Sequence, residues 1–478
     1  MRRRSFLRTA AGAMTAVLLP PSSARASAGG ALDVTLRSSP APNGLIRSNR
    51  DSHYSELLAY NGSIPGPLLR ATHGQRIRVN YSSSVDVPTS IHWHGMLLPN
   101  EMDGVAGVTQ AAVRYGGTYR YDFVADPPGT RWYHDHGFGF AFARGLFGVV
   151  IVDDPRDEPV DREFVLAFHD VPKAGSLEAA QRGTSSAPMS EPMDSPEMGN
   201  MASAPMGDEV AYAASCINGA AYPYGERLAV RVGERVRLRL VNASPTATRY
   251  VGLAGHELLV THADGNPLQR SVAVDVVRLG SGERYDALFE VGRPGAFLLQ
   301  SVSSDPLQAA QAVMLYTDGM ESAPPMHAPG MLDGLRVLTY ELAGGVEPPA
   351  TAPRAAAPHY EFVLAGGGFG NGRWSIDGKL WPQTPKLRVR RDERVTLRFR
   401  NTSQMDHPMH LHGHTFSLTE CNGAQLQRPL AKDVVLVPAG GTATLGFTAG
   451  SPPGRWLLHC HNEVHMVDGM MMEIVYTG

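Results

Sequence analysis

The chain has 478 residues, of which 43 are Lys or Arg and 46 are Asp or Glu, for a formal net charge of -3. Charge so near balance argues against a nucleic-acid binder, and a length sufficient for roughly three domains of about 150 residues excludes a stapled miniprotein. Three cysteines cannot build a disulfide framework, while Gly at 51 and Pro at 36 favour many short strands over long helices.

Residues 1–26 read as a signal peptide. Arg3-Arg4-Ser5-Phe6-Leu7 resembles a twin-arginine signal, an apolar run follows at 10–19, and Ala24-Arg25-Ala26 offers a small-residue cleavage pattern before Ser27. That run is too short to span hydrocarbon, and no later stretch reaches 18 apolar residues. The mature chain is therefore expected outside the cytoplasm, periplasmic or secreted, without stable membrane association.

One structural phrase then occurs three times. Asn61-Gly62 precedes Pro65 and ATHGQRIRVNYSSS; Asn218-Gly219 precedes Pro223 and LAVRVGERVRLRLVNAS; Asp377-Gly378 precedes Pro382 and LRVRRDERVTLRFRNTS. The glycines recur 157 and 159 positions apart. Each phrase reads as a turn, a strand, a tight turn and a second strand, with the period-two alternation of antiparallel sandwich sheets, one face packed and one outward. An all-β protein of three tandem sandwiches follows, near 31–157, 158–325 and 326–478. Two segments stand apart. Residues 183–209 carry Met189, Met193, Met198, Met201 and Met206 among Pro, Ser and acidic residues, and read as a mobile surface excursion. Residues 341–358, rich in Ala, Gly and Pro, read as a linker without a core.

Eleven of the 18 histidines fall in four clusters: His92 and His94; His134 and His136; His407, His410, His412 and His414; and His459, His461 and His465, with Cys460 inside the last. Imidazoles beside one soft thiolate favour copper over calcium or magnesium, with zinc chemically possible. Residues i and i+2 share a strand face, so each HxH aims two imidazoles one way, whereas Cys460 faces opposite to His459 and His461. Cys460, His465, an upstream histidine and a weak axial Met470 have the composition of a blue-copper electron-transfer site. The other paired histidines suit a polynuclear centre.

The motifs HWHG (92–95), WYHDHG (132–137), HPMHLHGH (407–414) and HCHNEVHMVDGM (459–470) resemble, in order, the four copper motifs of the multicopper oxidases, specifically the three-domain bacterial laccase and cuprous-oxidase type. The resemblance covers essentially the whole mature chain. It implies cupredoxin-like Greek-key domains and four copper ions: type 1 on His407, Cys460, His465 and Met470, type 2 on His92 and His410, and type 3 on His94, His134 and His461 and on His136, His412 and His459. His414 is expected to be structural, as are His256 and His262 in the central domain. The implied reaction couples four one-electron oxidations of phenols or aromatic amines to reduction of dioxygen to two waters, with electrons passing through Cys460 to His459 or His461. An axial thioether is expected to place the blue site at the lower-potential end of the family range.

Asp103, after HWHG, matches an acidic proton donor near the oxygen site. A second acid, found in some relatives directly after the last type 1 histidine, is replaced here by Met466; Asp468 and Glu463 are the nearby alternatives. Met405, Met409 and Met466 beside type 1 ligands suit either Cu(I) docking or an apolar shoulder for a phenolic ring. The Met-rich excursion offers accessory Cu(I) thioethers, so a cuprous oxidase of copper tolerance is the alternative activity. A noncatalytic copper-binding or periplasmic interaction protein is the alternative of another class. Cys216 and Cys421 leave one cross-domain disulfide open, and the protein is expected to act as a monomer.

Overall fold

The structure is a computed structural model that describes residues 24–25, 30–48, 54–185, 210–304, 310–320, 322, 334–345, 359–367 and 373–477. Most of the expected signal segment, residues 186–209 of the Met-rich excursion and residues 346–358 of the expected linker lie outside the described residues. Among the described residues no helix is long and apolar enough to cross a membrane.

Six mixed sheets are arranged as cupredoxin-like β-sandwich domains. In the first pair of sheets, Leu69–Thr72, Phe147–Asp153, Gly129–Asp135 and Ile91–His94 lie side by side, extended at one edge by Ala24–Arg25; Leu58–Tyr60, Leu32–Pro40, Arg76–Ser83 and Thr118–Val124 form the other sheet. In the last pair, Lys386–Val389, Met471–Tyr476, Arg455–Cys460, His407–Leu411 and Val434–Val437 form the sheet that carries the later histidine motifs.

The sheets depart from the antiparallel expectation in the same way each time. Leu32–Pro40 runs parallel to Arg76–Ser83, Arg162–Pro172 to Arg235–Asn242, and His359–Ala365 to Arg394–Asn401. A second parallel pair also recurs: Leu69–Thr72 with Phe147–Asp153, Leu228–Ala229 with Gln311–Tyr316, and Lys386–Val389 with Met471–Tyr476. Parallel neighbours need long crossovers, and here the chain passes from one sheet to the other between them. The repeated phrase opens on a left-handed residue each time: Asn61 has φ 51°, Asn218 φ 50° and Asp377 φ 52°. Asn and Asp tolerate that conformation, which explains why the phrase uses only these two.

Period-two burial holds in the outer repeats. Leu32–Pro40 alternates buried and exposed residues, and Leu32, Val34 and Leu36 join Ile77, Val79 and Tyr81 in the core. The central repeat differs, because Arg235–Asn242 is buried on both faces except at its start. Arg239 faces the first sandwich, its Nη1 donating to Thr130 Oγ1 (3.1 Å); it also pairs with Glu163 (2.8 Å) and Asp286 (2.7 Å), and Asp286 accepts from Thr130 Oγ1 (2.6 Å). The polar face of that repeat is thus an inter-domain seam instead of a solvated surface.

The start of the region expected as a coreless linker, residues 341–345, is anchored together with the residues just before it. Thr339 caps a short helix at Tyr340–Gly344, Leu338, Tyr340 and Ala343 lie in the main core, and Tyr340 Oη donates to Glu283 (2.7 Å). The start of the Met-rich excursion overlaps the helix Ser176–Ser185. All three cysteines are free thiols, so Cys216 and Cys421 do not pair.

Candidate metal centre

Strand register brings the HxH pairs together before any longer-range contact is considered. His92 lies directly across from His134 on the antiparallel pair Ile91–His94 and Gly129–Asp135, and His410 across from His459 on His407–Leu411 and Arg455–Cys460. His136, His412 and His461 each fall just past a strand end. The two histidine-bearing sheets, one from each end of the chain, then meet at a junction where these seven imidazoles and that of His94 are all buried.

Hydrogen bonds fix which ring nitrogen faces inward. His92 Nδ1 donates to the Asp103 carbonyl (2.8 Å), His134 Nδ1 to the Asp135 carbonyl (2.9 Å), His410 Nδ1 to the Asp433 carbonyl (2.8 Å) and His459 Nδ1 to the Cys460 carbonyl (2.9 Å). A carbonyl only accepts, so each Nδ1 carries the proton and each Nε2 presents a lone pair. His412 Nδ1 donates to Asp103 Oδ2 (2.9 Å) and His94 Nε2 to Asp433 Oδ1 (3.0 Å), which leaves Nε2 of the first and Nδ1 of the second facing the junction. Ser281 gives its hydroxyl proton to the Ser244 carbonyl (2.6 Å) and so accepts from His461 Nδ1 (3.1 Å), leaving His461 Nε2 bare.

The outcome is a set of converging lone pairs. His92 Nε2 and His410 Nε2 stand 3.2 Å apart, and His412 Nε2 and His459 Nε2 stand 3.0 Å apart. His94 Nδ1, His134 Nε2 and His461 Nε2 are buried with no hydrogen-bond partner. Burial pushes His94, His134, His136, His410, His412 and His461 well below the usual histidine range, and His459 down to about 4, so the rings are neutral. Facing lone pairs at these separations repel unless a cation lies between them. The donor set therefore fits metal ions held by neutral imidazole.

A second group lies on the opposite face of the same strand. Cys460 Sγ is 3.4 Å from His465 Nδ1 and 3.6 Å from His407 Nδ1, and those two nitrogens are 3.1 Å apart. Ser403 donates to Asn401 Oδ1 (2.8 Å) and accepts from His407 Nε2 (2.8 Å), which turns the His407 Nδ1 lone pair toward the sulfur. Asn462 accepts from the amides of Val464 (3.0 Å) and His465 (3.3 Å), capping the helix Glu463–Asp468 that folds His465 back over Cys460. Fully buried Met470 is tied in through its backbone, accepting from Cys460 N (3.0 Å) and donating to the His465 carbonyl (2.9 Å). Burial pushes the Cys460 thiol up, so a metal binding there must displace its proton. Two imidazoles and one thiolate without a fourth strong donor suit copper better than structural zinc.

Other expected residues are placed as follows. Asp103 is buried between the two ends of the chain, its carboxylate on His412 Nδ1 (2.9 Å) and 3.3 Å from His92 Nδ1. Asp468 is engaged by Arg373 (2.7 Å) and the Trp374 amide. Glu463 is buried and accepts from the Ala143 amide (2.9 Å), and burial and neighbouring Asp135 push its carboxyl well above the usual carboxylate range. His414 joins neither group: its Nδ1 donates to the His412 carbonyl (2.8 Å) and its Nε2 accepts from Tyr476 Oη (2.7 Å). His256 sits against Phe289 and Phe297, and His262 lies 3.5 Å from Asp157. Met405 is half-buried, whereas Met409 and Met466 are buried. Sequence reasoning missed Trp374, whose ring lies 3.8 Å from that of His465, and also Ser281, Arg284 and Asp433; none sits in one of the four histidine motifs of the sequence.

Three family models, each described as Multicopper oxidase, match residues 46–157, 192–318 and 354–477. Multicopper oxidase MmcO of Mycobacterium tuberculosis is 34% identical over 98% of this chain and 92% of its own length. A copper resistance protein A homolog of Pseudomonas syringae pv. tomato is 26% identical over 87% of this chain and 88% of its own. The crystal structure of a laccase from Botrytis aclada superposes with a TM-score of 0.73 at 22% identity, covering 93% of this chain and 87% of that one. With the paired histidine sheets and the cysteine strand that borders them, these matches establish that the chain belongs to the multicopper oxidases and is a laccase-like, copper-dependent oxidoreductase that couples substrate oxidation to dioxygen reduction.

Proposed function

We propose that the protein oxidises phenols and aromatic amines, taking one electron from each of four donor molecules and converting one dioxygen and four protons to two waters. Bound copper supplies one-electron uptake at the His407, Cys460 and His465 group and dioxygen reduction at the junction. Four ions are assigned: type 1 to His407, Cys460, His465 and Met470; type 2 to His92 and His410; type 3 to His94, His134 and His461 and to His136, His412 and His459.

One observation carries the reading. A single strand, Arg455–Cys460 continuing into His461, places its thiol in one group and its flanking imidazoles in the other. That covalent continuity gives the two groups a short fixed connection with no loop to reorganise. The chain's own residues also manage protons. Asp103 holds the Nδ1 protons of His412 and His92 and is the acid beside the oxygen site. Glu463, between His461 and His465 in the chain, has its carboxyl pushed well above the usual carboxylate range by burial and by neighbouring Asp135, and is the second, taking the place that Met466 cannot fill. Half-buried Phe138 and Trp381 stack at 5.9 Å and pack with Met466 next to His465, an apolar shelf suited to an aromatic donor. The protein acts as a monomer outside the cytoplasm.

The test is oxygen uptake by the copper-loaded chain with a phenol as the reductant. Four donors oxidised per dioxygen consumed is the expected ratio; copper binding without reductant-dependent uptake would leave a noncatalytic copper-binding protein. Half-buried Met405, two residues before His407, favours a second reading, oxidation of Cu(I), which the copper-resistance relative also suits. Deleting residues 185–207 separates the two: selective loss of uptake with Cu(I) supports metal delivery by the methionines, and equal activity on both donors removes that role.

A further inference from the structure

The central sandwich carries no histidine cluster among its described residues, yet it reaches the junction. Arg284, on the strand Arg284–Glu290, grips Asp433 with both arms of its guanidinium, Nη1 to Oδ1 at 2.6 Å and Nη2 to Oδ2 at 2.7 Å. Asp433 in turn touches imidazoles from both ends of the chain. Its Oδ1 accepts from His94 Nε2 (3.0 Å), its backbone carbonyl accepts from His410 Nδ1 (2.8 Å), and those two rings stack at 3.7 Å with 11° between their planes. Asp264, also central, accepts from the amides of Asp433 (3.2 Å) and Val434 (3.1 Å) and forms an ion pair with Lys432 Nζ (2.9 Å), pinning the bend that carries Asp433. Two residues before Glu283, Ser281 Oγ accepts from His461, and Gly282 lies so close that a Cβ there would meet that ring at 2.9 Å.

We propose that Arg284 and Asp433 are positioning residues, through which the central sandwich sets the ring tautomers and register of His94 and His410 and so shapes the oxygen-reducing site. The proposal rests on the multicopper assignment of the junction. A carboxylate only accepts, so His94 must place its proton on Nε2 and offer Nδ1 inward. The paired guanidinium fixes the carboxylate plane that enforces this, a fork that lysine cannot reproduce. An ion pair buried this deeply is weak evidence for stability, and its contacts with His94 and His410 fit an orienting role instead.

The test uses Asp433→Asn, Arg284→Lys and the milder Ser281→Ala in the full chain, with two readouts besides turnover. Histidine 15N spectra of the metal-free protein report the His94 tautomer: wild type is expected to hold the Nε2 proton, Asp433→Asn to lose that preference, and Arg284→Lys to keep it in part. In the copper-loaded protein, chelator titration followed by paramagnetic resonance is expected to show junction copper bound about 10–100-fold more weakly in Asp433→Asn, with blue absorbance retained. Ser281→Ala is expected to loosen the same signal by less and to leave His94 unchanged. An unaltered His94 tautomer in Asp433→Asn, or equal weakening of both copper groups, would overturn the proposal. A wild-type chain with the expected tautomer that takes up no junction copper would instead overturn the functional assignment while leaving the positioning intact.

Discussion

The two histidine groups share one strand but are assembled differently. His407, Cys460 and His465 come from one sandwich, and the contacts that orient them, from Ser403, Asn462 and Met470, lie in that same sandwich. The junction takes its imidazoles from the first and last sandwiches and their hydrogen-bond partners from all three, with Asp103, Ser281 and Asp433 each holding a histidine of another sandwich. The first group is complete once its own domain folds, whereas the second exists only when three domains have docked. The geometry of the His407, Cys460 and His465 group should accordingly survive perturbations that open the junction, and the reverse should be hard to achieve.

The largest expected effect separates the groups at their shared strand. Cys460→Ser is expected to abolish blue absorbance and all reductant-dependent oxygen uptake, while copper at the junction keeps its paramagnetic signal. Loss of both signals together would mean that the thiolate also holds the junction in register. Next is Asp103→Asn, which weakens the acceptor that fixes His412 and contacts His92. Turnover or junction copper affinity should fall about 10–100-fold with blue absorbance unchanged. Steady-state oxygen uptake alongside chelator titration measures both.

This asymmetry also explains what the sequence could reveal. The paired histidines were legible because residues two apart on a strand share a face, and the register pairs His92 with His134 and His410 with His459 accordingly. The left-handed turns at Asn61, Asn218 and Asp377 announced the repeat through residues that tolerate that backbone. Asp433 and Arg284 gave no such signal, since an ion pair between residues 149 apart leaves no local pattern. Mixed sheets were equally hidden: alternation reports which face is buried, and a strand parallel to its neighbour alternates as an antiparallel one does. Tyr340 escaped notice because a buried anchor can sit beside a Pro- and Ala-rich stretch without altering its composition.

Acid tests the comparison through a group outside the histidine clusters. Buried His169, in the central sandwich, accepts from the Gly219 amide through Nε2 (3.1 Å), and burial pushes its pKa down to about 4. The unfolded chain takes up that proton near pH 6.5 and the folded chain does not, so the contribution to stability is intact above pH 6.5 and is lost as pH falls toward 4. Between pH 7 and 5 this one group should remove about 2 kcal/mol from the metal-free protein. Urea titrations of the wild type and of His169→Gln at the two pH values measure it: the difference should be smaller in the variant by that amount, the other buried histidines supplying the remainder. If the domain junction is the weakest link, copper should leave it before the blue group during the same acid titration. Simultaneous loss would indicate one cooperative unit.

The smallest expected effect concerns His414, the member of its motif that joins neither group. Its Nδ1 donates to the carbonyl of His412, a junction residue, and its Nε2 accepts from Tyr476 Oη, which also receives the Ser451 amide (3.1 Å). Every one of these residues belongs to the last sandwich, so the contact should behave as local support. Tyr476→Phe removes the hydroxyl and is expected to cost about 1 kcal/mol of stability in a denaturant titration. Blue absorbance, junction copper and turnover should stay at wild-type values, because the His412 ring remains tied to Asp103 in the first sandwich. A shifted junction signal in this variant would mean that the backbone of His412, and not only its ring, is set by inter-domain docking, and the line drawn between the local and the assembled group would have to move.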